Sequence, residues 1–287
     1  CALPILLIVL FGIGNHGVAT GINNLWSHGG FMPNGIWGVL TSLVVVVFSF
    51  GGVELIGITA GEADNPTKTI PKAINQVVYR ILIFYVGALL ILMCLYPWNM
   101  VGTQGSPFVL IFSKMGISSA ATILNFVVLT AALSAYNSGL YSNGRMLYSL
   151  SLQGNAPKML SKVSKRGTPY VGILVSSLFT AIAVVLNFLI PGKVFLYLMS
   201  IATIAGILNW TMIMITQIKF RNKIGPIEAQ KLAFKLPFFP YSNYIALAFM
   251  AMIVVLMAFL PDFVYALYLC PIWVFILYIA YKLKKRL

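Results

Sequence analysis

Apolar residues fill seven stretches of the chain, at about 36–60, 79–98, 118–142, 169–190, 194–218, 243–260 and 263–281. Each is bounded by polar, charged or turn-forming residues. A helix needs ~20 mostly apolar residues to cross a bilayer, and all seven are close to that length. An eighth apolar stretch, 1–13, is too short to cross. It begins at Cys1 with no initiator Met and no basic leader, so it reads as the cut end of a helix and not as a signal peptide. The pattern predicts an all-α polytopic membrane protein whose N-terminal spans are missing, with all of 1–287 belonging to one transmembrane domain.

Composition agrees with the pattern. Hydrophobic residues make up 60% of the chain and charged residues 8%, against about 25% charged in a soluble domain. A net charge of +14 raises the question of nucleic acid, and the location of the charges answers it. When loops are assigned to alternate sides, 17 of the 19 Lys and Arg residues fall on one side, leaving Lys114 and Lys193 on the other. Cytoplasmic loops carry this excess. The cations flank spans and form no groove-sized patch, so nucleic acid is not a partner. Loops 61–78, 151–168 and 219–240 and the C-terminal tail are therefore expected inside, and 14–35, 99–117, 191–193 and 261–262 outside. Trp37, Tyr96, Trp98 and Trp273 fall near span ends, where interface aromatics collect.

One span is interrupted. Val44–Val47 is followed by Phe48, Ser49, Phe50, the pair Gly51–Gly52, and then Glu54. Each glycine disfavours helix by about 1 kcal/mol relative to Ala. Opened backbone at membrane depth is tolerated only where it is buried in protein or lines a cavity. The spacing predicts a helix break at Ser49–Gly52 beside a polar site. Carbonyls ending the first half-helix would attract an ammonium group, and amides starting the second an anion. Glu54 is an ionisable residue within a span, which is costly and marks a functional candidate. The competing reading makes Gly51 and Gly52 a close packing contact and Glu54 a hydrogen-bond partner of a neighbouring helix.

Span 118–142 carries Asn125, Thr130, Ser134, Asn137, Ser138 and Ser142. Ser134, Asn137 and Ser138 fall at i, i+3, i+4 and share one helix face. That face either bonds another helix or lines a pathway. Ser200, Thr203 and Asn209 in span 194–218 suit ordinary helix packing as well as a site. Asp262, after Pro261, is expected in solvent. Within loop 61–78, Asp64-Asn65-Pro66 reads as a turn, with Thr69 capping a short amphipathic helix along the inner surface and Pro71 in its first turn. Cys1, Cys94 and Cys270 have no CxxC spacing, and His16 and His28 stand alone, so no metal site is indicated. No phosphate-binding GxxxxGK[ST], GxSxG or HExxH occurs, and no cofactor is called for.

These residues together resemble the amino acid/polyamine/organocation superfamily, in particular its bacterial proton-coupled amino-acid permeases. The stretch Phe48–Tyr85 is similar to the family's sixth span, inner loop and seventh span. Ser106–Phe108, Asn125–Ser138, Gly144–Leu147 and Gln153–Lys158 also match, so the likeness covers nearly the whole chain. It implies a LeuT-like inverted-repeat transporter fold with twelve spans, of which this chain holds the end of the fifth to the twelfth. It also implies a multi-pass protein of the bacterial inner membrane, not an enzyme, that imports an amino-acid substrate with protons as coupling ion. The substrate amino group would meet the opened backbone at Phe48–Gly52. The expected site set is Phe48, Ser49, Phe50, Gly51, Gly52, Glu54, Ser134, Asn137 and Ser138. Phe48–Gly52, Asn75–Arg80 and Ala135–Gly139 look most like the aromatic amino-acid branch. Ile58–Glu62 looks closer to carriers of proline and other small neutral amino acids. A non-transporting sensor on the same scaffold is the remaining alternative.

Overall fold

The computed structural model describes residues 21–58, 60, 63–100, 109, 118–190, 193–232 and 234–284. Among them all regular structure is helical. The elements are α1 (Gly35–Ser49), a single turn α2 (Leu55–Ile58), α3 (Pro66–Leu95), α4 (Ser118–Leu152), α5 (Tyr170–Leu189), α6 (Val194–Gln230), α7 (Tyr241–Met257) and α8 (Pro261–Lys284). Stretches within α3, α4, α5, α6 and α8 are long and apolar enough to cross a membrane, while α1 and α7 are shorter apolar helices. These seven follow the order of the seven apolar stretches. The partial span 1–13 and nearly all of loop 99–117 lie outside the described residues.

The chain divides into two compact units. One comprises Cys1–Gly38 and Lys72–Gly139, the other Val39–Pro71 and Leu140–Leu287. In the first, a 3-10 turn at Ile22–Leu25 lies against the end of α3. Asn24 Nδ2 donates to the Cys94 carbonyl at 2.8 Å, and Trp98 Nε1 donates to the His28 carbonyl at 2.9 Å. Leu92, Cys94 and Leu95 are buried beneath this segment's helix end. Helix α3 contains a π stretch, Ile81–Val86, between α-helical portions.

The second unit holds the larger core. Val44 and Val47 of α1 are buried, with Leu40 and Leu43 partly buried beside them. These positions are spaced i, i+3, i+4, i+7, the stripe that one helix face presents. The stripe packs with Met199, Ile204 and Ile207 of α6, Ile253, Leu256 and Met257 of α7, and Phe263 and Ala266 of α8. Between helices surrounded by lipid, the gain is close van der Waals contact, since lipid tails are as apolar as leucine. The valines that looked uniformly greasy thus divide in two: Val45 and Val46 stay exposed. Asn243 is fully buried, and its Nδ2 donates to Gln217 Oε1 at 2.8 Å, tying α7 to α6. Helices α4 and α5 cross through glycines. A Cβ on Gly172 would come within 3.1 Å of the Gly144 carbonyl oxygen and 3.2 Å of its Cα.

Several helix ends differ from the sequence expectation. Helix α3 begins at Pro66 and runs through Pro71 into the apolar stretch, so no separate surface helix begins at Thr69. Proline at the first helical position loses only an N–H that has no partner there. The Thr69 hydroxyl donates back to the Asp64 and Asn65 carbonyls instead of capping. Helices α4 and α6 extend to Leu152 and Gln230, well past their apolar stretches, because a helix can leave hydrocarbon without ending. In α6 the path bends at Gly225, whose φ of 77° and ψ of 168° are not helical. The turn expected at 261–262 is instead 258–260. Pro261 opens α8, and exposed Asp262 sits in its first turn, where the helix dipole favours a carboxylate.

Candidate functional site

Helix α1 ends at Ser49, in the middle of its apolar stretch. The Phe50 and Gly51 amides reach back only three residues, to the Val47 and Phe48 carbonyls, at 3.2 and 3.0 Å. The Ser49 hydroxyl donates to the Val46 carbonyl at 2.6 Å. Gly52 has φ +97°, a conformation that costs a residue with a Cβ about 1–3 kcal/mol. Helical turns resume at Leu55, with the Leu55 amide on the Gly52 carbonyl at 3.1 Å. The break expected at Ser49–Gly52 is therefore present, and it extends through Glu54.

The Glu54 carboxylate pins the opened backbone. Its Oε2 accepts the Gly52 N–H at 3.1 Å and the Trp210 indole N–H of α6, also at 3.1 Å. The amide expected to await an anion is thus held by the chain's own carboxylate. Both earlier readings of Glu54 meet here, since the helix is broken and the carboxylate also bonds a neighbouring helix. An unpaired carboxylate in mid-span costs ~3 kcal/mol on insertion scales, and two donors offset part of that. Glu54 and Trp210 are both partly buried.

Trp210 is absent from the sequence expectation. A signal for it exists: indoles favour the ends of spans, and a Trp well inside one needs a partner for its N–H. In the same helix Ser200 and Thr203 are almost fully buried, and their hydroxyls donate to the Tyr197 and Met199 carbonyls. They serve their own helix.

Phe48, Ser49, Phe50, Gly51, Gly52 and Glu54 are brought together by the break, with Phe48, Ser49 and Gly51 exposed. Ser134, Asn137 and Ser138 fall in the other compact unit. All three are exposed on α4, and the Ser138 hydroxyl donates to the Ser134 carbonyl at 3.0 Å. Among the described residues no cluster of His, Cys, Asp or Glu could hold a metal.

The family model described as "Amino acid permease" matches residues 2–287. The chain is 51% identical over 276 residues to "Uncharacterized amino acid permease YtnA" of Bacillus subtilis, covering 96% of this chain and 60% of that one. It is 46% identical over 291 residues to "Aromatic amino acid transport protein AroP" of Escherichia coli K12, covering 99% and 63%. It is 47% identical over 281 residues to "Amino-acid permease AapA" of B. subtilis, covering 98% and 61%. The chain thus spans about three-fifths of the length of the curated relatives it matches. No solved structure gives a significant match.

Proposed function

The chain belongs to the amino acid permease family, and from that membership we propose that the protein is a secondary active transporter importing amino acids across the bacterial plasma membrane. Residues 1–287 form the C-terminal part of its single permease domain, with the C-terminus cytoplasmic. The observation that supports a site in this chain is the break in α1. Backbone leaves helical bonding in mid-span, and a carboxylate is spent holding it open. Phe48–Gly52 receive the substrate amino group, and Glu54 with Trp210 fixes the shape of that backbone. Ser134, Asn137 and Ser138 form a separate exposed polar face on α4. Proton-coupled symport is the mode of energisation implied by the resemblance to bacterial proton-coupled amino-acid permeases. An aromatic substrate is favoured by the relative named as an aromatic amino acid transport protein.

Solute counterflow with the full-length protein in proteoliposomes tests the reading. Labelled phenylalanine, tyrosine or tryptophan should exchange for unlabelled substrate, and an inward proton gradient should drive accumulation. Exchange of proline or small neutral amino acids alone would move the substrate class. Absence of exchange with every amino acid would leave the sensor reading in its place. Glu54→Gln separates holding from proton relay: loss of accumulation with exchange spared marks a relay, and a matched modest fall in both marks the holding role that the two hydrogen bonds support.

A further inference from the structure

Beyond the break, the inner part of α6 and the segment leading to α7 enclose a cavity of about 500 Å³, lined by Arg221, Asn222, Gly225, Gln230, Lys235 and Phe239 among others. The non-helical Gly225 bends the helix beside it. The Arg221 guanidinium stacks on the Phe239 ring, Cζ to centroid 4.6 Å. Stacking uses the guanidinium face and leaves its N–H edge for an acceptor. Arg221 Nε is buried with no hydrogen-bond partner among the described residues, and a buried donor left unpaired is costly. Among the described residues no carboxylate lines the cavity. The nearest in sequence, Glu228, is exposed and paired with Lys231 at 2.6 Å. Among the described residues, two cations share a concave space with no counter-charge, beside two side-chain amides and an aromatic wall.

We propose that this cavity binds a phosphate group, with Arg221 and Lys235 supplying charge and Asn222 and Gln230 supplying amide donors. A guanidinium edge and an ammonium suit phosphate oxygens. The cavity follows the apolar part of α6 directly, and a helix that crosses a bilayer with its apolar part meets the headgroups at that end. Under the topology proposed above it faces the inner leaflet, whose anionic lipids meet basic pockets of this kind. Binding itself does not depend on that topology, nor on the transport activity.

The full-length protein is purified, and retention of phosphatidylglycerol is titrated by native mass spectrometry. Each cation contributes about a fivefold gain in affinity. Arg221→Gln with Lys235→Gln should therefore weaken phosphatidylglycerol binding about 25-fold, with zwitterionic phosphatidylethanolamine little affected. Arg221→Lys, which keeps the charge but not the stacked fork, should fall between. Lys231→Gln, outside the cavity, should change nothing. If lipid retention is the same in wild type and double variant, inorganic phosphate is tested by thermal shift. A phosphate-dependent rise in wild type that the double variant lacks makes the source a free phosphate. No difference in either measurement, or an equal lipid loss from Lys231→Gln, overturns the proposal.

Discussion

Replacing Trp210 by Phe removes one donor and keeps an aromatic ring at the edge of the core around Val44 and Val47. Among the described residues, Glu54 Oε2 then retains only the Gly52 amide at 3.1 Å. A hydrogen bond to a charged group contributes about 1.5–3 kcal/mol. The lower end applies here, because both residues are only partly buried and water can replace some of the loss. About 1.5 kcal/mol corresponds to roughly a tenfold effect. Initial uptake by cells lacking their own permeases should fall by about that factor for Trp210→Phe, with surface expression unchanged. The contact predicts more than a single loss. Glu54→Gln weakens the same hydrogen bonds, so the double variant should be no worse than the poorer single variant. The cycle should then return a coupling of ~1–1.5 kcal/mol, within the range for residues in direct contact. Two effects that simply multiply would refute the reasoning, because independent residues do not share a bond. Wild-type uptake by Trp210→Phe would refute it more directly.

Gly52→Ala forces a Cβ into φ +97° and should destabilise the broken segment by about 1–3 kcal/mol, read as a lower melting temperature in detergent together with reduced uptake. Gly172→Ala places its Cβ 3.1–3.2 Å from backbone atoms of Gly144, which cannot swing aside as a side chain could. Overpacking of this kind costs about 1–3 kcal/mol, and the same melting assay should show it, whereas Gly206→Ala, with open space around it, should be nearly silent. In a cysteine-free background, Asn23→Cys should react with an impermeant thiol reagent in intact cells and Lys165→Cys should not. Both positions are exposed, so the reverse pattern would invert the proposed orientation.

The break in α1 was legible because its cause is local. Two glycines after four valines, with a carboxylate two residues on, is a pattern that backbone propensity and desolvation interpret without any partner. Trp210 was not legible, because its bond to Glu54 joins residues 156 apart in the chain. Only packing decides which indole meets which carboxylate. The start of α3 was misplaced for a different reason. Counting apolar residues finds where a helix meets lipid, and Pro66–Arg80 is an amphipathic portion with polar residues around much of it. The faces of α4 illustrate a third limit. Helical spacing groups Ser134 with Ser138 correctly, but it does not reveal that the Ser138 hydroxyl turns to its own backbone.

The π stretch at Ile81–Val86 sets the angular phase of everything that follows it in α3. Each residue turns an α-helix by about 100°, and a π turn accommodates one residue more than the α ladder would. Deleting a single residue there, Ile83 for example, would leave the hydropathy of the span intact and its length almost so. The turn would close to α bonding with one residue fewer, so Leu92, Cys94 and Leu95 and the carbonyl that receives Asn24 would keep their phase, whereas the same deletion between Gly87 and Leu92 would rotate them by about 100°. For this helix, tolerance to insertion and deletion is therefore governed by rotation about the axis, and loss of one residue is better tolerated within the π stretch than between Gly87 and Leu92.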